Sequence, residues 1–103
     1  SKKQLIIYLN YSGKEDIISA AKSLKKINKI NEITYRKNLK SSNIPDPDML
    51  IRSGGYQRLS DFLIYQISFT DFFFTKTLWP DIKKSQINKY IYQFKHLERK
   101  FGS

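Results

Sequence analysis

The heptapeptide Arg52-Ser53-Gly54-Gly55-Tyr56-Gln57-Arg58 sets two guanidinium groups around a pair of glycines, with Ser60 two positions further on. It follows an apolar run, Met49-Leu50-Ile51, and precedes an apolar-patterned stretch beginning at Leu59. Guanidinium groups hold oxyanions in bidentate fashion. Glycines let backbone N–H groups approach a ligand closely, and a serine hydroxyl offers one more donor or caps a helix. In open α/β sheets ligands bind beyond the carboxyl ends of the strands, and a helix starting near Leu59 would aim its positive end at the same place. Together these residues describe a site for a multiply charged oxyanion. The plainer alternative is a surface turn whose arginines pair with Asp46, Asp48 or Asp61. The spacing matches neither the nucleotide loop G-x-x-x-x-G-K-S/T nor the dinucleotide fingerprint G-x-G-x-x-G.

The elements that must position this motif are legible from periodicity. Leu5-Ile6-Ile7-Tyr8-Leu9 is short, continuous and β-rich, which predicts a strand buried on both faces as in a parallel sheet. Ile17, Ala20, Ala21, Leu24 and Ile27 recur at helical spacing and predict an amphipathic helix over about 14–28. Residues 29–47 are polar and end in IPDPD, where the prolines disfavour helix, so a loop or short helix is expected. Met49 to Ile51 is a second strand. Leu59, Phe62, Leu63, Gln66 and Ile67 predict a second helix, Phe72 to Phe74 a third strand, and Ile87, Tyr90, Ile91, Phe94, Leu97 and Phe101 a C-terminal helix over roughly 83–100, with Gly102 as its stop. Alternation of this kind implies an α/β fold: a parallel sheet with flanking helices and right-handed crossovers.

A chain of 103 residues, 40% hydrophobic and 15% aromatic, suits one small packed domain. With no cysteine there is no disulfide, thiolate nucleophile or cysteine metal site. The apolar run at Leu5–Leu9 is far short of the roughly 20 residues of a membrane span and too short for a signal peptide. A formal net charge of +10 attracts phosphates of any kind, whether nucleic acid, anionic lipid or diphosphate, and is also what a solvated lysine-rich surface looks like.

PDPDMLIRSGGYQRLSDFLIYQISFTDFFFTKTLWPD, from Pro45 to Asp81, resembles the C-terminal signature of the cis-prenyltransferases, whose bacterial members are undecaprenyl diphosphate synthases. LNYSGKEDI, Leu9 to Ile17, is similar to an upstream family segment, and ERKFG, Glu98 to Gly102, to the family's closing motif. The resemblance implies that Arg52, Arg58 and Ser60 bind the diphosphate of isopentenyl diphosphate, that Gly54 and Gly55 are the loop glycines, and that Asp71 stands where a glutamate lies near the diphosphate and its Mg²⁺. It also implies a homodimer, a cytoplasmic location with peripheral membrane contact through the product, and no nucleic-acid partner. Tyr56 replaces the usual acidic residue, and Asp61 the usual asparagine. Family members are more than twice as long, and the aspartate motif that serves the allylic diphosphate has no counterpart here. Residues 1–103 are therefore expected to be a single domain, the C-terminal part of a synthase, with the N-terminal catalytic part absent and no catalytic residue in this chain. A non-catalytic partner subunit or a basic nucleic-acid-binding module is the alternative.

Other residues carry less. His96 has no Cys or His companions for a metal site and no obvious triad. Trp79 reads as a core or interface anchor. Phe72–Phe74 reads as a buried strand, at a subunit contact or lining a lipid tunnel.

Overall fold

The computed structural model describes residues 3–97. The chain packs as two units: Ser1–Pro45 with Leu59–Tyr65, and Asp46–Arg58 with Gln66–Ser103. The C-terminal helix ends at Lys95, short of the expected residue 100, and the closing motif at Glu98–Gly102 with the expected glycine stop lies outside the described residues.

In the first unit, helix α1 (Gly13–Ser23) runs into a 3-10 turn at Leu24–Lys26, and a short helix α2 comes next at Glu32–Lys37. The apolar spacing that predicts α1 is fulfilled where it matters: Ala20 and Leu24 are buried, with Leu39 and Leu63. The short helix expected as one alternative for residues 29–47 is α2. It begins where Asn31 caps it: the Asn31 side chain accepts from Thr34 N–H at 2.9 Å, and Thr34 Oγ1 accepts from Asn31 N–H at 3.0 Å.

The start of α1 is fastened by a residue far along the chain. Gly13 N–H donates to the Asp61 carbonyl at 2.8 Å. The Asp61 carboxylate accepts from Lys14 N–H at 2.9 Å and from Ser12 Oγ at 2.5 Å, while Ser12 Oγ caps the helix by accepting from Glu15 N–H at 3.1 Å. Two of the donors that a helix leaves orphaned in its first turn are thereby satisfied through a single carboxylate and its serine. One turn on, buried Asp16 accepts from Tyr11 Oη at 2.6 Å and from Lys40 N–H at 3.0 Å. Tyr8, Tyr11 and Phe62 close over this region in mutual edge-to-face contacts at 4.7–5.9 Å.

That arrangement overturns the helix expected from Leu59. Ser60 and Asp61 have φ of 49° and 60°, and two successive left-handed residues cannot begin an α-helix. The segment turns instead, with a 3-10 turn at Tyr65–Ile67. Its i, i+3, i+4 apolar spacing is real, but the anchoring of α1 takes up Asp61, and no helix begins at Leu59.

In the second unit, β1 (Met49–Arg52) and β2 (Asp71–Phe74) form a two-stranded parallel sheet with Met49 opposite Asp71 and Arg52 opposite Phe74. Helix α3 (Lys84–Lys95) packs on it, Phe73 against Tyr90 at 5.3 Å. Strands and helices in this relation make an α/β fold. The predicted first strand does not form: Leu5–Leu9 is unpaired among the described residues, and Leu5, Ile7 and Leu9 are 88%, 71% and 82% exposed. β-propensity describes a side chain's fit to a sheet, and without a neighbouring strand to take its N–H and C=O groups the segment forms no strand. Trp79 is not a core residue either, at 73% exposure. No helix among the described residues is long and apolar enough to cross a membrane.

Two outcomes test the α1 joint. A Cβ on Gly13 would collide with the Phe62 carbonyl oxygen and press on Ile64, so Gly13→Ala is expected to lower unfolding free energy by about 2 kcal/mol, an overpacking cost, despite alanine's better helix propensity; urea denaturation measures it. The hydrogen bonds from Ser12 and Lys14, with the nearby Lys14 charge, hold the Asp61 carboxyl below its usual range. Its stabilising contribution is then fully present above the unfolded value of about 3.9 and lost as pH falls through the lower folded value. Asp61→Asn should be less stable than wild type at pH 7, with the gap closing below about pH 4; parallel stability profiles would count against the joint.

Candidate functional site

The motif forms the turn that leaves the carboxyl end of β1. Gly54 and Gly55 have φ of 82° and 85°, conformations open to glycine and strained for other residues. The turn is stitched to the loop after β2. Thr75 N–H donates to the Arg52 carbonyl at 2.9 Å, Gly55 N–H to the Thr75 carbonyl at 3.0 Å, and Gly54 N–H to the Thr77 carbonyl at 3.0 Å. The glycine N–H groups therefore do not face a ligand, as the sequence suggested. They prolong the strand pairing, and the glycines serve by their backbone shape.

The loop after β2 is itself held from α3. Gln86 Nε2 donates to Thr77 Oγ1 at 3.0 Å, and Gln86 Oε1 accepts from Lys83 N–H at 3.1 Å, at the helix start. Thr75 Oγ1 and Thr77 Oγ1 lie 3.2 Å apart. A chain of polar contacts thus runs from α3 through Thr77 to Gly54.

On this scaffold both arginines lie over one ring. Arg52 Nη1 donates to the Arg58 carbonyl at 2.7 Å, closing the loop on itself. The Arg52 guanidinium lies 5.1 Å from the centre of the Tyr56 ring and that of Arg58 5.3 Å from it. The ring rests over Gly54, within 3.8 Å of where a Cβ would stand. Neither guanidinium meets a carboxylate of its own unit among the described residues. Of the surface-turn alternative with Asp46, Asp48 or Asp61, the ion pairs with Asp46 and Asp48 do not form. Beside the loop, Gly55, Gln57, Phe74, Thr75 and Lys76 line a cavity of about 150 Å³.

The other nominated residues fall elsewhere. Ser60 belongs to the first unit, in the left-handed turn described above. Asp71 begins β2 opposite Met49, three residues from the position facing Arg52, or about 10 Å of strand. Among the described residues no cluster of three or more His, Cys, Asp or Glu side chains could hold a metal ion. His96 ends α3, its ring stacked on Tyr92 at 4.1 Å and its Nδ1 2.8 Å from the Tyr92 carbonyl.

Sequence reasoning passed over Thr77 and Gln86, and it noted Tyr56 only as a replacement for the usual acidic residue. An aromatic ring between two arginines in a loop has no periodicity to expose it. The signal available was composition: Arg-x-x-x-Tyr-x-Arg puts two cations within reach of one ring.

A family model described as putative undecaprenyl diphosphate synthase matches residues 1–102. A chloroplastic nerylneryl diphosphate synthase from Solanum lycopersicum is 42% identical over 95% of this chain and 33% of its own length, and an isoprenyl transferase from Aquifex aeolicus 37% identical over 95% and 43%. Among solved structures, a probable undecaprenyl diphosphate synthase from Campylobacter jejuni is 34% identical with a TM-score of 0.81, covering 92% of this chain and 45% of that one. Lavandulyl diphosphate synthase from Lavandula x intermedia, solved in complex with dimethylallyl diphosphate, is 35% identical with a TM-score of 0.81, over 90% and 44%. The chain spans less than half the length of each of these relatives. With the family model running from Ser1 almost to the last residue and the parallel β1–β2 pair set in a matching fold, this chain belongs to the undecaprenyl diphosphate synthase family of cis-prenyltransferases, which are transferases.

Proposed function

We propose that the Arg52–Arg58 loop holds the diphosphate of isopentenyl diphosphate within a cis-prenyltransferase that condenses it onto an allylic diphosphate to build a polyprenyl lipid carrier. The observation that carries this reading is that two guanidinium groups, each over the Tyr56 ring and unneutralised by any carboxylate of their unit, belong to the turn at the carboxyl end of a parallel strand. Family membership supports it, since isoprenyl transferases and prenyl diphosphate synthases are what the chain resembles along its length.

In this reading Arg52 and Arg58 neutralise and orient the diphosphate. Ser60, two residues after Arg58, adds its hydroxyl by resemblance. Gly54 and Gly55 shape the loop. The isopentenyl double bond is thereby aimed at the allylic carbon as its own diphosphate departs, and loss of a proton sets the cis double bond. The arginines position a nucleophile and carry no proton. Asp71 is the carboxylate that the resemblance places beside the magnesium, which would help neutralise the diphosphate; no step passes through that metal here. The allylic site, its aspartate, the homodimer and the cytoplasmic setting with contact at the membrane through the product belong to the proposal for the whole protein.

Isothermal titration of the purified chain with isopentenyl diphosphate and with inorganic diphosphate tests this. Arg52→Ala or Arg58→Ala is expected to weaken binding by about 2–3 kcal/mol, the scale of a lost charge-assisted contact, and wild-type binding should fade as salt is added. Affinity unchanged in either variant removes that arginine from the site. In a radiolabelled condensation assay with a farnesyl diphosphate primer, the 103-residue chain by itself should make no product: without a second site it lacks the pairing of reactants that supplies as much as roughly 7–11 kcal/mol. Growing product chains would put the catalytic centre within these residues.

A further inference from the structure

The Gln86 amide is engaged at both ends. Its Oε1 accepts from Lys83 N–H at 3.1 Å, closing a capping box at the start of α3, and its Nε2 donates to Thr77 Oγ1 at 3.0 Å, outside the helix. A capping box needs only the first bond, and a carboxylate would accept it equally. The second needs a donor, which glutamine has and an ionised glutamate lacks. That second bond joins α3 to the loop after β2. Thr77 is held from its own loop as well: Thr75 Oγ1 accepts from Thr77 N–H at 3.2 Å and lies 3.2 Å from Thr77 Oγ1. With its N–H and its hydroxyl both engaged, Thr77 presents its carbonyl to Gly54 N–H, 3.0 Å away. Gly54 and Gly55 are the two positions of the turn with positive φ, where glycine has the widest choice of other conformations. Helix α3 is itself seated on the sheet through Tyr90 against Phe73, so the relay has a fixed end.

We infer that Gln86 is a positioning residue for the diphosphate loop: through Thr77 it fixes the Gly54–Gly55 turn, and with it the backbone that carries Arg52 and Arg58. This rests on the diphosphate reading of the loop. Gln86 acts through one hydroxyl and one carbonyl. Its effect is to shape the turn before the anion arrives, so that less ordering remains to be done on binding.

The test is a titration of the purified chain with inorganic diphosphate in magnesium-containing buffer at low salt. It compares wild type with Gln86→Ala, Thr77→Val, the double variant of these two, and Thr77→Ser. Gln93→Ala, which removes an exposed amide from the same helix, is the control, and Arg52→Ala and Arg58→Ala are the references. Gln86→Ala and Thr77→Val should each bind about two- to tenfold more weakly, the scale of one neutral hydrogen bond. The double variant should bind no more weakly than the weaker single, because both remove the same contact. Thr77→Ser and Gln93→Ala should bind like wild type. Without ligand, amide hydrogen exchange at Gly54 should quicken in Gln86→Ala and Thr77→Val and not in Gln93→Ala. A merely structural role would lower urea midpoints and leave the affinity of the folded chain and the Gly54 exchange rate unchanged. That result, or losses that multiply in the double variant, overturns the inference while the arginine references uphold the proposed function. If both arginine variants bind like wild type, or wild type fails to bind, the diphosphate reading falls and this inference with it.

Discussion

Three backbone hydrogen bonds carry the parallel pairing of β1 and β2 past the strands: Thr75 N–H to Arg52, Gly55 N–H to Thr75 and Gly54 N–H to Thr77. The geometry of the second unit hangs on this extension. A parallel pair alone fixes where strands lie and leaves the chain beyond their ends free. By drawing the Arg52–Arg58 turn onto the loop after β2, these bonds turn a flexible glycine pair into a shaped platform. They also set the start of α3 as a distant support, through Thr77 and Gln86. The arginines are then separated by a loop with few remaining freedoms, which is what a site for a doubly charged group requires.

The first unit solves a different problem by similar means. Helix α1 begins at a glycine because the Phe62 carbonyl leaves no room for a Cβ, and its first N–H groups are satisfied from Asp61. A segment far along the sequence thereby decides where the helix starts. The same demand holds Ser60 and Asp61 in left-handed conformations and costs the chain the helix that its apolar spacing favoured there. Side-chain burial alone would not have forced that outcome. Hydrogen-bond donors at a helix start need partners, and the chain supplies them at the expense of a second helix.

A further tension runs through both units. The buried apolar set is small, Ala20, Leu24, Leu39, Leu63 and Ile67 among the described residues, while Leu5, Ile7, Leu9 and Trp79 stand largely in solvent. Parallel strands are ordinarily covered on both faces, and here β1 is only half-buried along its length. The relatives are more than twice as long as the stretch they share with this chain, so in them additional sequence accompanies this half of the fold.

By itself the sequence determined the elements whose signal is local. Apolar spacing placed α1 and α3, a β-rich run bounded by a glycine turn placed β1, and the three phenylalanines placed β2. The pairing of arginines, glycines and a strand end was likewise enough to nominate the loop, and the resemblance carried by Pro45–Asp81 was enough to name the family that the comparisons returned. Tertiary structure alone decided the rest, because the deciding partners are distant in sequence. Leu5–Leu9 became no strand, since strand formation depends on a neighbour that propensity cannot supply. The stretch after Leu59 became a turn, since Asp61 was claimed by residues 12–14. The glycine N–H groups went to Thr75 and Thr77 and not to a ligand. Tyr56 became the ring that both arginines approach, because a cation–π contact depends on where side chains lie in space, and no period in the sequence records that.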